Sequence, residues 1–259
     1  MTMTTTTATT AGRITLVTGA ARGIGRQIAT AFARSGHHVV IGDLPAAADT
    51  ARAVADGLTG EGLSAGTVDL DVTDEDSVAA AVGRITETVG APQVLVNNAG
   101  ISRPAPTLET SLAQWNEVVA VNLTGQFLCA RACLPAMRDA GWGRIIGISS
   151  FNAKSAPVNG DNASYAASKA GITGLTHNLA VEFGRDGITV NAIAPGIVDT
   201  ELLRRAHPPQ RLAELVDRLP TGRFTLPEEI AATAVFLAGD VAASITGEIV
   251  NVNGGLYFD

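Results

Sequence analysis

From position 14 onward, short uninterrupted apolar runs alternate with segments whose apolar residues recur every three or four positions. The runs at 14–19, 38–41, 67–70, 94–96, 144–149, 188–194 and 248–252 predict strands. Between them, Ile24, Ile28 and Phe32 mark the buried face of one helix. Val78, Val82, Ile85 and Val89 mark another, with Thr73 as its expected N-cap. Ser111 and Gln114 have capping-box spacing and open a long helix through Trp115, Val118, Val119 and Leu123. Further helices are predicted over 165–183 and 227–237. Several strands are continuous apolar runs, as expected where both faces of a parallel sheet are covered. Alternating strands and helices predict an α/β fold of the doubly wound, Rossmann type. No shift in composition marks a second domain, so one nucleotide-binding catalytic domain is expected over 13–259. The stretch 197–219, which carries Pro208 and Pro209, breaks the alternation and reads as an inserted substrate flap.

Composition narrows the class. A chain of 259 residues, 46% hydrophobic and 17% charged, suits one well-buried core and excludes wholesale disorder. The 28 glycines show no collagen or array period. A formal charge of −7 argues against nucleic acid or an anionic membrane as partner. No run of 18 apolar residues occurs, so no membrane span is expected. The threonine-rich stretch 1–12 has neither the charged start nor the apolar core of a secretory signal, and reads as a disordered arm. Cys129 and Cys133 fall on one helix face, either as a reactive pair or as small packing residues in the reducing cytoplasm. Two cysteines make no disulfide framework.

The chemistry gathers at strand ends. Gly19, Gly23 and Gly25 sit where the first strand turns into a helix. Glycines there allow a tight turn and let the backbone approach a pyrophosphate, while the helix start offers free N–H groups to the anion. Asp43 ends the second strand, eighteen positions after Gly25. A carboxylate at that place accepts bonds from the adenosine ribose hydroxyls and repels a 2′-phosphate, which favours NAD over NADP. Leu44, rather than a base, follows it. Arg22, inside the cradle, points the other way.

The chain has two tyrosines, and one of them, Tyr165, lies four positions before Lys169. That spacing places both on one helix face. A phenol near pKa 10 is a poor base at neutral pH. An ammonium roughly 4 Å away favours the phenolate by up to about 4 kcal/mol at an effective dielectric of about 20. Ser149 and Ser150 end the fifth strand, where a hydroxyl can hold a substrate oxygen. Asn122 stands among apolar neighbours in a helical stretch, as a structural hydrogen-bonder or part of a proton relay.

In these ordered motifs the chain resembles the classical short-chain dehydrogenase/reductase family, over about 13–258. The cradle of Thr18, Gly19, Gly23, Ile24 and Gly25 matches, as do Asp71-Val72 as an adenine-contacting pair and Asn97-Asn98-Ala99-Gly100 after the fourth strand. Asn122, Ser150, Tyr165 and Lys169 resemble the catalytic tetrad, and Pro195, Gly196, Ile197 and Thr200 the loop beside the nicotinamide. The resemblance implies a seven-stranded parallel sheet with Tyr165 as acid/base and Ser150 orienting the reacting oxygen. Lys169 would lower the tyrosine pKa and hold the nicotinamide ribose, and Asn122 would position a water. Ile197 would contact the carboxamide through its backbone. It also implies a homotetramer or homodimer packed through the helices over 111–139 and 165–183.

One departure concerns spacing. Ser150 and Tyr165 are fifteen positions apart, against about thirteen in the family, so the intervening loop carries a two-residue insertion and Asn152 falls at the ordinary spacing. That loop also holds Lys154, Asn159, Asp161 and Asn162. This set suits a sugar, polyol or hydroxy acid, or else is a solvated turn-rich loop. Arg204, Arg205 and His207 either meet an anion or lie on the surface. The expected activity is reversible hydride transfer between a nicotinamide cofactor and a secondary alcohol. Alternatives are an NADPH-dependent 3-ketoacyl reductase, a nucleotide-sensing module without catalysis, and an epimerase or dehydratase relative.

Overall fold

The computed structural model describes residues 12–155 and 160–258, so the stretch 1–11 of the expected arm lies outside the described residues. The strands are β1 (Ile14–Thr18), β2 (His38–Asp43), β3 (Ala65–Asp69), β4 (Val94–Asn97), β5 (Gly143–Ile148), β6 (Ile188–Pro195) and β7 (Ile249–Val252). They form one seven-stranded sheet in the order β3-β2-β1-β4-β5-β6-β7, and every neighbouring pair is parallel. The order reverses between β1 and β4, which opens a crevice at the carboxyl ends of those strands.

The apolar runs have a direct structural meaning. Successive strand side chains point to opposite faces. Val17, Val39, Ile41, Val94, Val96 and Ile146 therefore enter one core, while Leu16, Val40, Leu95 and Ile145 enter the other. The first core is covered by α1 (Gly23–Arg34), α2 (Ala48–Gly60) and α9 (Pro227–Ala238). The second is covered by α3 (Glu75–Thr88), α5 (Gly125–Asp139) and α6 (Ala163–Phe183). A strand flanked on both sides has no polar face to display.

Three local expectations need revision. Helix α2 has no counterpart among the predicted elements: its buried face is Ala51, Ala55 and Leu58, an apolar period written mostly in alanine. The N-cap of α3 is Asp74, whose carboxylate accepts from the Asp76 N–H, while Thr73 donates to Asp71 instead. The long helix after Ser111 does begin with a reciprocal capping box. It runs as α4 (Leu112–Val119), a π-helical turn (Ala120–Thr124) and α5. The segment Leu112–Asp139 is long and apolar enough to cross a membrane, with mean hydropathy 1.3, yet half of that window is buried inside the fold as in a core helix.

Cys129 and Cys133 are free and buried, and burial pushes the Cys129 thiol up to about 12 and Cys133 higher still. They pack. At the amino end of the sheet, Arg13 and Arg144 both stack on Trp142, with their guanidinium carbons 3.4 and 4.2 Å from its ring centroid, and Arg13 pairs with Asp240. Nearby, His37 is buried, its Nδ1 2.7 Å from Thr15 Oγ1 and its ring edge-on to Phe32. Burial, and then the Arg13 charge, lowers its pKa to about 4.

Candidate active site

The cradle is built from close backbone approach. Gly19 has φ +63°, and a Cβ there would sit 2.9 Å from the Ala99 Cα. A Cβ on Gly25 would lie 2.4 Å from both Asn98 Nδ2 and the Gly19 carbonyl. Gly23, at φ +57°, faces open space on the outer side of the turn. The loop after β4 is tied to this turn: Asn98 Nδ2 donates to the carbonyls of Thr18 and Gly19, at 2.9 and 3.0 Å. Thr18 Oγ1 accepts from the N–H groups of Asn98 and Ala99. A glycine-opened, braced turn beside the start of α1, with Ile24 partly buried and Arg22 exposed, fits a dinucleotide's phosphates.

Asp43 is held at the end of β2, its two oxygens accepting from the N–H groups of Ala21 and Leu44, each at 2.9 Å. The carboxylate is thus fixed against the cradle. One strand further out, Asp71 Oδ1 accepts from the Thr73 N–H and hydroxyl. The neighbouring Val72 is buried where Gly125 leaves no room for a side chain: a Cβ on Gly125 would come within 2.8 Å of it.

Across the switch point, β5, α6 and the π turn bring four polar side chains together. Ser150 Oγ accepts from the Asn152 N–H at 3.1 Å, and the Ser150 hydroxyl lies beside the buried Tyr165 phenol, whose pKa it acts to lower. Lys169 is buried, donates from Nζ to the Ile148 carbonyl at 2.6 Å, and lies 5.6 Å from the Tyr165 ring centroid. Asn122 is fully buried: Oδ1 accepts from the Ile101 N–H, and Nδ2 donates to the Ile101 carbonyl and to Ser168 Oγ. Gly100 separates the two groups, since a Cβ there would meet Asn122 Oδ1 at 3.3 Å and Lys169 Nζ at 3.5 Å.

The electrostatics depart from the simple expectation. Burial raises the Tyr165 phenol above its ordinary value, and the Ser150 hydroxyl offsets only part of this. The ammonium does not reverse that balance, because Lys169 lies over the ring and donates to Ile148. Burial also lowers Lys169 itself to about 8, which leaves it largely protonated at neutral pH.

On the far side, the Gly196 N–H donates to the Val252 carbonyl, and a Cβ on Gly196 would sit 2.7 Å from Asn253. Pro195 ends β6, the Ile197 carbonyl accepts from Thr225, and Thr200 caps α7 (Glu201–Ala206). The expected flap is α7 with α8 (Pro209–Val216), and Pro208 and Pro209 mark the start of α8. Arg204 and Arg205 pair with Asp199 and Glu201 on its surface. Asn159 lies outside the described residues. Thr18, named with the cradle, braces it from beneath. Two supports had no signal of their own in the sequence: Ser168 beneath Asn122, adjacent to Lys169, and Ser102, whose hydroxyl accepts from Asn162 Nδ2 at 2.8 Å.

A family model described as enoyl-(acyl carrier protein) reductase matches residues 19–257, nearly the whole chain. The chain belongs to the short-chain dehydrogenase/reductase family. It is 43% identical over 246 residues to a 3-oxoacyl-(acyl carrier protein) reductase of Pseudomonas aeruginosa, covering 95% of this chain and 98% of that one. It is 44% identical over 246 residues to a cis-4-hydroxycyclohexanecarboxylate dehydrogenase of Sinomonas cyclohexanicum, covering 95% and 96%. A gluconate 5-dehydrogenase from Burkholderia cenocepacia, solved with NADP and tartrate, superposes with a TM-score of 0.89 at 35% identity, covering 95% of both chains. This short-chain dehydrogenase/reductase is an oxidoreductase that acts on CH–OH groups with a nicotinamide cofactor.

Proposed function

We propose that this enzyme oxidises a secondary alcohol on a sugar, polyol or hydroxy acid with NAD, and that Tyr165 is its acid/base. The observation that carries the reading is the Ser150–Tyr165–Lys169 cluster, set beside a cradle from which side chains are excluded. When bound, the nicotinamide supplies the hydride acceptor. Tyr165 takes the hydroxyl proton in oxidation and returns it in reduction, while Ser150 and Asn152 hold the substrate beside it. Because burial alone keeps the phenol protonated, Tyr165 needs positive charge near its oxygen to act as a base. Lys169 provides it once Nζ leaves the Ile148 carbonyl for the nicotinamide ribose. The side chain of Asn122 is engaged with Ile101 and Ser168, so its part is to brace the loop at Ile101.

Gly19, Arg22, Gly23, Ile24 and Gly25 would hold the pyrophosphate, Asp71 and Val72 would contact the adenine, and Asn98, Ala99 and Gly100 would line the cofactor's path toward Lys169. Pro195, Gly196, Ile197 and Thr200 would flank the nicotinamide. Asp43, fixed by two N–H groups, favours the ribose hydroxyls of NAD over a 2′-phosphate. The enzyme is read as one cytoplasmic domain over 13–259, with no nucleic-acid or membrane partner. Its homotetramer or homodimer would pack through the helices flanking an apolar surface groove lined by Phe127, Leu134, Leu179 and Phe183.

The 43% identity to a 3-oxoacyl-(acyl carrier protein) reductase supports a second reading, NADPH-dependent ketoacyl reduction. Initial rates with NAD and NADP across polyols, sugars, hydroxy acids and 3-oxoacyl thioesters, followed by nicotinamide absorbance, decide between them. Turnover confined to thioesters with NADPH would replace the first reading by the second.

A further inference from the structure

Two amide oxygens beside the reacting groups accept no hydrogen bond: Oδ1 of Asn152 and Oδ1 of Asn162 are each shut off from solvent without a partner. Both residues are anchored through other atoms. The Asn152 N–H is bonded to Ser150 Oγ. Asn162 starts the first turn of α6 by accepting from Ala166 N–H, three positions before Tyr165, and its Nδ2 donates to Ser102 Oγ. The adjoining Asp161 carbonyl accepts from Ala105 N–H at 2.7 Å. The loop after β4 and the start of α6 are thereby fastened into one wall next to Tyr165. That wall bears one unpaired oxygen, and the turn after β5 bears the other.

Nothing local demands this arrangement. The Asn162 side chain makes no cap bond to its own helix, so an apolar residue would serve the helix start equally well. A buried carbonyl without a donor is costly, and native structures rarely keep one unless a partner arrives. Both residues are half-buried, and the terminal torsion of an asparagine is broad enough to turn the oxygen toward the crevice.

We propose that Asn152 and Asn162 are specificity-determining acceptors that take the hydroxyl protons of carbons adjoining the reacting one, making vicinal diols and polyols the substrate class. The inference rests on the reading of Ser150 and Tyr165 as the reacting pair. A carbonyl oxygen only accepts, so a neighbouring hydroxyl satisfies it, whereas a methylene, a thioester carbonyl or a carboxylate does not. A 3-oxoacyl thioester offers only methylenes and acceptors around its reacting carbon and leaves both oxygens orphaned. In the reducing direction the matching substrate is an α-hydroxyketone.

The test compares butane-2,3-diol with butan-2-ol, which differ by one adjoining hydroxyl, using the full chain, NAD, and the variants Asn152→Ala, Asn162→Ala and Asn152→Asp. Wild type should favour the diol in kcat/KM by about tenfold or more, chiefly through KM, and the alanine variant of whichever asparagine takes the single adjoining hydroxyl should reduce that ratio by about tenfold. Asn152→Asp keeps an acceptor and should retain the preference. A wild-type ratio near one overturns the proposal, as does a ratio that survives both alanine substitutions. Thermal melts of each variant separate lost recognition from lost fold, and if an alanine variant does not fold, the wild-type ratio decides alone. Full turnover by Tyr165→Phe would sink the underlying reading. An inactive Tyr165→Phe together with an unmoved diol ratio would sink only the specificity claim.

Discussion

The two halves of the crevice are built in different ways. On the β1–β4 side almost every contact is made by main chain: glycines remove side chains, Thr18 and Asn98 bind carbonyls and N–H groups, and Asp43 is fixed by two amides. On the β5–β6 side Lys169 and Asn122 are also anchored to main chain, but side chains meet side chains as well, with Asn162 on Ser102 and Asn122 on Ser168, and two amide oxygens are left unpaired. A backbone cradle recognises what every dinucleotide shares. A side-chain wall can be rewritten residue by residue without disturbing the sheet, and that is where the proposed reading puts substrate choice.

The sharpest separation of the halves comes from Tyr165→Phe. It should lower kcat by about a thousandfold while the cofactor dissociation constant, measured by nicotinamide fluorescence, stays within a factor of about three. A matching loss of cofactor affinity would merge the two halves. Next in size is Gly25→Ala, whose new methyl meets a backbone carbonyl that cannot withdraw. Denaturant unfolding should show a loss of about 2–3 kcal/mol, with cofactor KM rising in parallel. An unperturbed variant would mean the cradle is not rigid.

The sheet's far end supplies a control remote from either half. His37 stays neutral in the fold down to about pH 4, whereas the unfolded chain takes up a proton near 6.5. Its contribution to stability is therefore complete above about pH 6.5 and is lost as the pH falls toward 4. From pH 7 to pH 5 this amounts to about 2 kcal/mol, and His37→Gln should flatten that slope in urea melts. Smaller again, Asp43→Ser should move the NAD-to-NADP ratio of kcat/KM by about tenfold toward NADP. Smallest of all, Arg204→Ala on the flap breaks only an exposed ion pair with Asp199 and should leave the melting midpoint where it was.

Much of this was legible in the chain because parallel strands covered on both faces are written as unbroken apolar runs, and the Ile24, Ile28, Phe32 period marks α1 as plainly. Helix α2 was hidden because alanine carries little hydrophobic signal, and the choice between Thr73 and Asp74 as cap turned on a bend of one residue. The π turn left no trace in the pattern, since one i+5 step within a long helix hardly alters its apolar period. In the site, the four-residue spacing placed Lys169 beside Tyr165. Spacing gives distance along a helix but not burial, so the upward shift of the phenol could not be foreseen. The Asn162–Ser102 bond joins residues sixty positions apart and needed the fold.

The strict partition of neighbouring strand residues between two cores has an evolutionary corollary. Adding one residue within β1 or β4 would exchange Leu16 with Val17, or Leu95 with Val96, and turn both interiors inside out at once. Adding two residues between Ser150 and Tyr165 lengthens only a connection at the rim. Length variation among descendants of this architecture should therefore accumulate at the carboxyl rim and be absent from the strands, leaving the nucleotide's berth unaltered while the range of alcohols drifts.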